Sequence, residues 1–203
     1  MRLCFRSVDP CIILLMKSIL QRIVNDARYL KNIEYGTPRP GHPEGMVKYH
    51  IAELEENLEV LRSRGISEEQ YWKLKFLIHV HDAFKAEAVP NSPILHPYSH
   101  ASLARKFATE FTADTDLLNM VQYHDVNYAL WQQFSNRGSY DLSRFSALLE
   151  TIINWDLFLM FLILDGCTQG KDPERLRWFI TEVRKQKQTF VDETWLLLNG
   201  SSE

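Results

Sequence analysis

The sequence predicts an all-α chain, a single bundle-like unit of about seven to eight helices. Three observations predict it. Apolar residues recur at three- and four-residue spacing, helix caps and helix-stopping Gly and Pro punctuate the chain at short intervals, and no segment sustains period-two alternation. Ile19, Ile23, Ala27 and Leu30 share one face of a first helix over about 17–32. The stretch from Gly36 to Pro43 holds Pro38, Pro40, Pro43, Gly36 and Gly41 and cannot be helical. A second helix spans about 44–61 and stops near Gly65. Ser67-Glu68-Glu69-Gln70 then reads as a capping box that starts a third, over about 68–84. A loop with Pro90, Pro93 and Pro97 precedes a fourth helix over about 99–111, and Asp114 caps a fifth that ends near 128. Asp141 caps a long sixth, about 142–164, whose last turns (157–164) are apolar on every face and expected to be core. Asp172-Pro173 opens a seventh, to about 187, and a short eighth covers about 191–198 before Gly200. Residues 1–15 read as an N-terminal tail, disordered or a translation-start extension, and 16–200 as one domain.

Composition narrows the function classes. Aliphatic and aromatic residues make up 45% of 203, enough for one sizeable core. A formal charge of -3 argues against a duplex nucleic-acid footprint. The apolar run from Cys11 to Met16 is too short to span a bilayer and is followed by Lys17, Gln21 and Arg22, so no membrane association is expected. Cys4, Cys11 and Cys167 form no Cys-x-x-Cys, which argues against a disulfide framework or thiolate zinc site and for a reducing, cytoplasmic setting.

The chemistry lies in where polar residues interrupt apolar helices. His50 sits on the second helix, His81-Asp82 end the third, His100 opens the fourth, His124-Asp125 end the fifth, and Asp165 closes the most hydrophobic one. An imidazole or carboxylate buried without a partner costs about several kcal/mol, so such groups pair with each other or bind a metal. Mixed imidazole and carboxylate donors suit Mn, Fe, Ni, Co or Zn; Mg would prefer more oxygen. Adjacent His81 and Asp82 point about 100° apart on a helix and can face one ion only at a helix end or kink.

The ordered set His50, His81-Asp82, Asp165 resembles the H…HD…D signature of the HD-domain phosphohydrolase superfamily. The segment from Gly41 to His50 is similar to the first-histidine region in the HD domain of CCA-adding enzymes, and 156–166 to the leucine-rich helix that ends in the last family aspartate. The resemblance spans roughly residues 40–170. It implies an HD-type domain with one or two divalent transition metal ions. With His100 and His124, all six positions of the two-metal pattern are present: His50, His81, Asp82 and Asp165 would hold one ion, and His100 and His124 would join Asp82 at the second. The implied activity is hydrolysis of a phosphate ester or anhydride in a small phosphorylated substrate of the nucleotide or dinucleotide class, with a hydroxide generated at the metal attacking phosphorus. Lys85 follows in the common HD-x-x-K form, positioned to stabilise charge on a phosphoryl oxygen. His42, Arg105 and Lys171 are further candidates for phosphate contact, and Trp131 for the pocket wall.

Blander assignments stand beside these. His79 should be structural, His96 a loop residue near the site mouth, Asp125 a hydrogen-bonding neighbour of His124, and Asp156 a weaker rival of Asp165. Two other functions fit the same ligands: a di-iron oxygenase, and a nucleotide-binding module without catalysis. Oligomeric state, native metal and exact substrate stay open at this level.

Overall fold

Residues 10–197 are described by the structure, a computed structural model. They form ten α-helices: α1 Pro10–Val24, α2 Ala27–Asn32, α3 Val47–Ser63, α4 Glu68–Val80, α5 His100–Ala108, α6 Thr115–Tyr123, α7 Val126–Arg137, α8 Leu142–Thr151, α9 Trp155–Gly166 and α10 Glu174–Arg184. Single 3-10 turns at Lys85–Glu87 and Glu193–Trp195 complete them. No strand occurs among the described residues, so the chain is all-α as the periodicity predicts.

The larger helix number has a local cause. The first and sixth predicted helices each break in two, and α7 runs through 129–137, where no helix is predicted. Asp26 interrupts the first and caps α2 by accepting from the Arg28 N–H. Asp125, at φ -90° and ψ 0°, separates α6 from α7, and α7 then runs on to Gly138, whose φ of 68° ends it in the left-handed region. The long sixth helix breaks at 152–154, leaving α8 and α9 bent by 116°. Asn154 caps α9 through the Leu157 N–H, and the Asp116 carboxylate accepts from the Ile153 and Asn154 N–H groups. That corner depends on an acid from α6, which no local pattern announces. The expected tail needs correction as well. Pro10–Leu15 already belong to α1, while residues 1–9 lie outside the described residues. The expected last helix is reduced to the turn Glu193–Trp195, its end from 198 onward also lying outside them.

The core forms around α4 and α9. From Leu157 to Leu164 every residue of α9 is buried, and Phe158, Phe161 and Ile163 are wholly so. Fully burying such a side chain contributes about 1.5–3 kcal/mol. α9 packs against α3, α4 and α10, and α4 also touches α1, α5 and α6. No single described helix is long and apolar enough to cross a membrane. The bent α8–α9 pair reaches that length only together, and α9 is spent on the core. Between α7 and α10, Trp178 stacks on Phe134 at 5.0 Å and meets Trp131 at 5.6 Å and Tyr140 at 5.1 Å. The apolar faces of α4 and α9 therefore lie side by side, and their C-terminal ends emerge at the same place.

His79 has the structural role expected of it. Its Nδ1 lies 2.6 Å from the buried Tyr29 hydroxyl and its Nε2 3.1 Å from Glu55, which Lys75 also approaches at 3.1 Å. Gly166 is a packing requirement, because a Cβ there would sit 2.5 Å from Leu176 Cδ1.

Two outcomes test this packing. Gly166→Ala should cost about 1–3 kcal/mol by overpacking, read as a lower melting temperature. Hydrogen bonding from His79, opposed by burial and helped by Lys75, holds the Glu55 carboxyl down at about 2 against an ordinary 4.5. Its contribution is thus present above pH 4.5 and disappears as pH falls toward 2. In urea melts Glu55→Gln should be less stable than wild type by less than about 1 kcal/mol near neutrality, since the pair is partly exposed. That gap should close through the acid window.

Candidate metal centre

Three helix ends and two helix starts converge on a single point. α4 ends at Val80, so His81 (φ -56°, ψ -40°) and Asp82 leave the helix together and turn toward one region. α9 delivers Asp165 from its last turn, α3 delivers His50 from its first, α5 opens with His100, and α6 closes on His124. His50, His81, Asp82 and His124 are buried, while Asp165 and His100 are partly so. The polar groups thus stand where the apolar core ends.

Two donor groups result, His50–His81–Asp165 and Asp82–His100–His124, each with its ligand atoms within 4.8 Å of one another. Asp82 joins them. Its Oδ2 lies 3.3 Å from His81 Nε2 and 3.9 Å from His50 Nε2, and its Oδ1 lies 3.5 Å from His124 Nε2 and 3.8 Å from His100 Nε2. On the first side, Asp165 Oδ1 is 3.0 Å from His50 Nε2 and 3.9 Å from His81 Nε2.

The ring orientations are set from behind. His81 Nδ1 donates toward the Leu77 and Ile78 carbonyls at 3.1 and 3.0 Å, and His124 Nδ1 toward the Val121 carbonyl at 2.8 Å. Carbonyls only accept, so Nδ1 carries a proton and Nε2 is the nitrogen turned to the centre, where a bound cation would take the place of any proton on it. For His50 the partner behind is Glu44, whose Oε1 lies 3.3 Å from Nδ1 and 3.0 Å from His42 Nδ1. Asp82 Oδ1 and His81 Nε2 are fully shielded and have no hydrogen-bond partner. Buried lone pairs facing each other call for a cation, and a divalent metal fits this donor set.

The electrostatics agree. Burial alone would raise the carboxyls of Asp82 and Asp165, yet both are held well below the usual range, Asp82 by Lys85 and His81, Asp165 by Lys171 and His50. Burial lowers His81. It also works against the charged form of His124, but Asp125 and Asp82 outweigh it and push that imidazole up to about 9. Lys85 Nζ hydrogen-bonds Asp82 Oδ2, and Lys171 Nζ lies 2.9 Å from Asp165 Oδ1. Each of these carboxylates has its own ammonium.

A cleft of about 660 Å³ opens above the centre, with Asp82, Lys85, Asp165, His124, Lys171 and His42 lining its floor and walls and Trp131 on one side. The structure therefore brings together all six proposed ligands along with Lys85, His42, Lys171 and the expected wall residue. Two expectations are corrected. Arg105 does not line the cleft; its guanidinium donates to Asn119 Oδ1 at 2.8 Å across the α5–α6 packing. His96 is also absent from the lining, its Nδ1 accepting from the Tyr98 N–H. Asp156 is spent on Thr189 and Phe190.

Sequence reasoning missed Glu44 and undervalued Asp125, whose Oδ2 is 3.1 Å from His100 Nε2. Glu44 precedes its helix in a proline-rich loop, where no periodicity marks it. Asp125 follows a candidate ligand, and that adjacency was the available signal. Comparison with family models, with curated proteins and with solved structures finds no match to this chain.

The donor geometry has a direct consequence. Titration with Mn²⁺, followed by the loss of its free electron-spin resonance signal, should show binding, and the melting temperature should rise with it. Glu44→Gln, which loosens His50 without removing a ligand, should weaken that affinity by about 10–100-fold.

Proposed function

We propose that the chain is a metal-dependent phosphohydrolase of the HD superfamily, cleaving a phosphate ester or anhydride of a nucleotide or dinucleotide. One observation carries the reading: the two oxygens of Asp82 face two separate histidine groups, with a lysine on the same carboxylate. An aspartate serving only core polarity needs one counter-charge, and Asp82 has Lys85 for that. The remaining convergence of four imidazoles on it has no structural purpose that a simpler arrangement would not meet. Support also comes from the order His50, His81-Asp82, His100, His124, Asp165, which resembles the two-metal HD pattern.

His50, His81 and Asp165 with Asp82 Oδ2 would hold one ion, and His100, His124 and Asp82 Oδ1 the second. Bound divalent ions supply Lewis acidity toward a phosphoryl oxygen and a nucleophile usable at neutral pH. The protein's own part is placement and charge. Lys85 and Lys171 put ammonium groups at the cleft floor, where they attract a phosphate dianion and stabilise charge that grows on its oxygens. Burial, opposed by the Glu44 hydrogen bond and helped by Lys171 and Lys85, lowers His42 below the ordinary imidazole value, and its ring is a further hydrogen-bonding group for a phosphate. Glu44 keeps that ring and His50 in register. A cytoplasmic setting is part of the same reading and rests on the number and spacing of the cysteines.

The test is metal analysis of the purified protein beside phosphatase and phosphodiesterase panels with Mn, Ni, Co and Mg. Metal-dependent release of phosphate or nucleotide is expected, abolished in Asp82→Ala and reduced about 10²–10³-fold in Lys85→Ala. Bound iron with oxygen uptake and no hydrolysis would replace this reading with the oxygenase. Absence of bound metal under every loading condition would sink it.

A further inference from the structure

Lys85 and Lys171 do not exhaust the positive charge of the cleft. Its acids are already engaged: Asp82 by Lys85, Asp165 by Lys171, and Asp125 by His100, while Asp172 Oδ1 accepts the Glu174 N–H at 2.9 Å. Two guanidinium groups, Arg39 and Arg175, line the same cleft and have no carboxylate partner among the described residues. Arg175 is not a freely waving surface cation. Arg175 occupies the first turn of α10, its guanidinium lies 5.4 Å over the Tyr128 ring, and its Nε is shielded from solvent without a hydrogen-bond partner. Arg39 is anchored by its backbone, which exchanges two hydrogen bonds with His42 at 3.0 and 2.8 Å, so its position is tied to the histidine at the cleft floor.

A shielded guanidinium donor without an acceptor is unfavourable, and such donors are retained where a ligand supplies the acceptor. Guanidinium groups match the oxygens of phosphate in geometry and charge. We propose that Arg39 and Arg175 form a second anion subsite, which holds a phosphate adjoining the one at Asp82 and Lys85. The substrate class is then a di- or polyphosphate with at least two linked phosphoryl groups, and a simple phosphomonoester fills only half of the charge offered. This inference rests on the phosphohydrolase reading for the chemistry at Asp82, and on the rim arginines alone for the second phosphate.

The deciding experiment is calorimetric titration with two probes, orthophosphate and methylenediphosphonate, on wild type, Arg39→Ala and Arg175→Gln. Each titration is run on Mn²⁺-loaded protein and again in chelator. Methylenediphosphonate should bind wild type at least about tenfold more tightly than orthophosphate, and each variant should lose about tenfold for methylenediphosphonate alone. Arg39 is exposed on a loop, so Arg39→Ala decides the matter even if Arg175→Gln lowers the melting temperature. Unchanged affinities in the variants, or equal losses for both probes, overturn the subsite. An arginine effect that persists in chelator, in a protein that binds no metal, leaves the subsite standing while the metal reading falls.

Discussion

Two carboxylates, Asp82 and Asp165, are drawn out of water at the end of an apolar core, and most of the site follows from that constraint. Each needs compensation that water no longer provides. Three buried imidazoles and two lysines supply it, His81 and Lys85 from the end of α4 and the others from three further segments. The helices can meet this demand only if α4 and α9 end at the same level, with the start of α3 and the α6–α7 break beside them. The core and the polar centre are thus one solution: the same side-by-side packing that buries Phe158 and Phe161 brings His81, Asp82 and Asp165 together.

The supporting layer is as ordered as the ligands. Backbone carbonyls hold His81 and His124, and a carboxylate holds His50, so three Nε2 atoms point inward without competing partners behind them. Breaks in the helices serve this arrangement. Had α6 and α7 formed one helix, His124 and Asp125 would diverge by about 100° and could not both face His100. The turn at Asp125 lets them do so. The corner between α8 and α9, tied by Asp116, sets where α9 begins and hence where its final aspartate arrives.

The opposite wall of the cleft is built on aromatic packing rather than charge. Trp131 reaches the cleft while its other side leans on Trp178, and Tyr128 carries Arg175. α7 and α10 therefore supply an aromatic wall and, in Arg175, part of the positive rim above the ligand-bearing floor. The ligand-bearing floor, its carboxylates compensated by Lys85 and Lys171, and the positive rim together favour a ligand that brings both metal-binding and guanidinium-binding oxygens, which phosphate groups do.

Much of this was legible in the residues themselves. Helical periodicity, the capping box at Ser67, Asp114 as a cap and the proline-rich loops placed the helices, because those signals act within one or two turns. The six candidate ligands stood out for the same kind of reason: a histidine or aspartate at the end of an apolar helix is conspicuous in a linear reading. The breaks at 25–26 and 152–154 were not legible, since apolar periodicity continues across them and the groups that stabilise the last lie in α6. Glu44 and Asp125 owe their roles to neighbours distant in sequence, and Arg105 lost its expected role to Asn119 in the same way. The chain by itself thus determined what could be buried and which residues would object to burial. Only the tertiary structure decided which of them meet, because a carboxylate's partner is set by distance in space and the pattern along a helix carries no record of it.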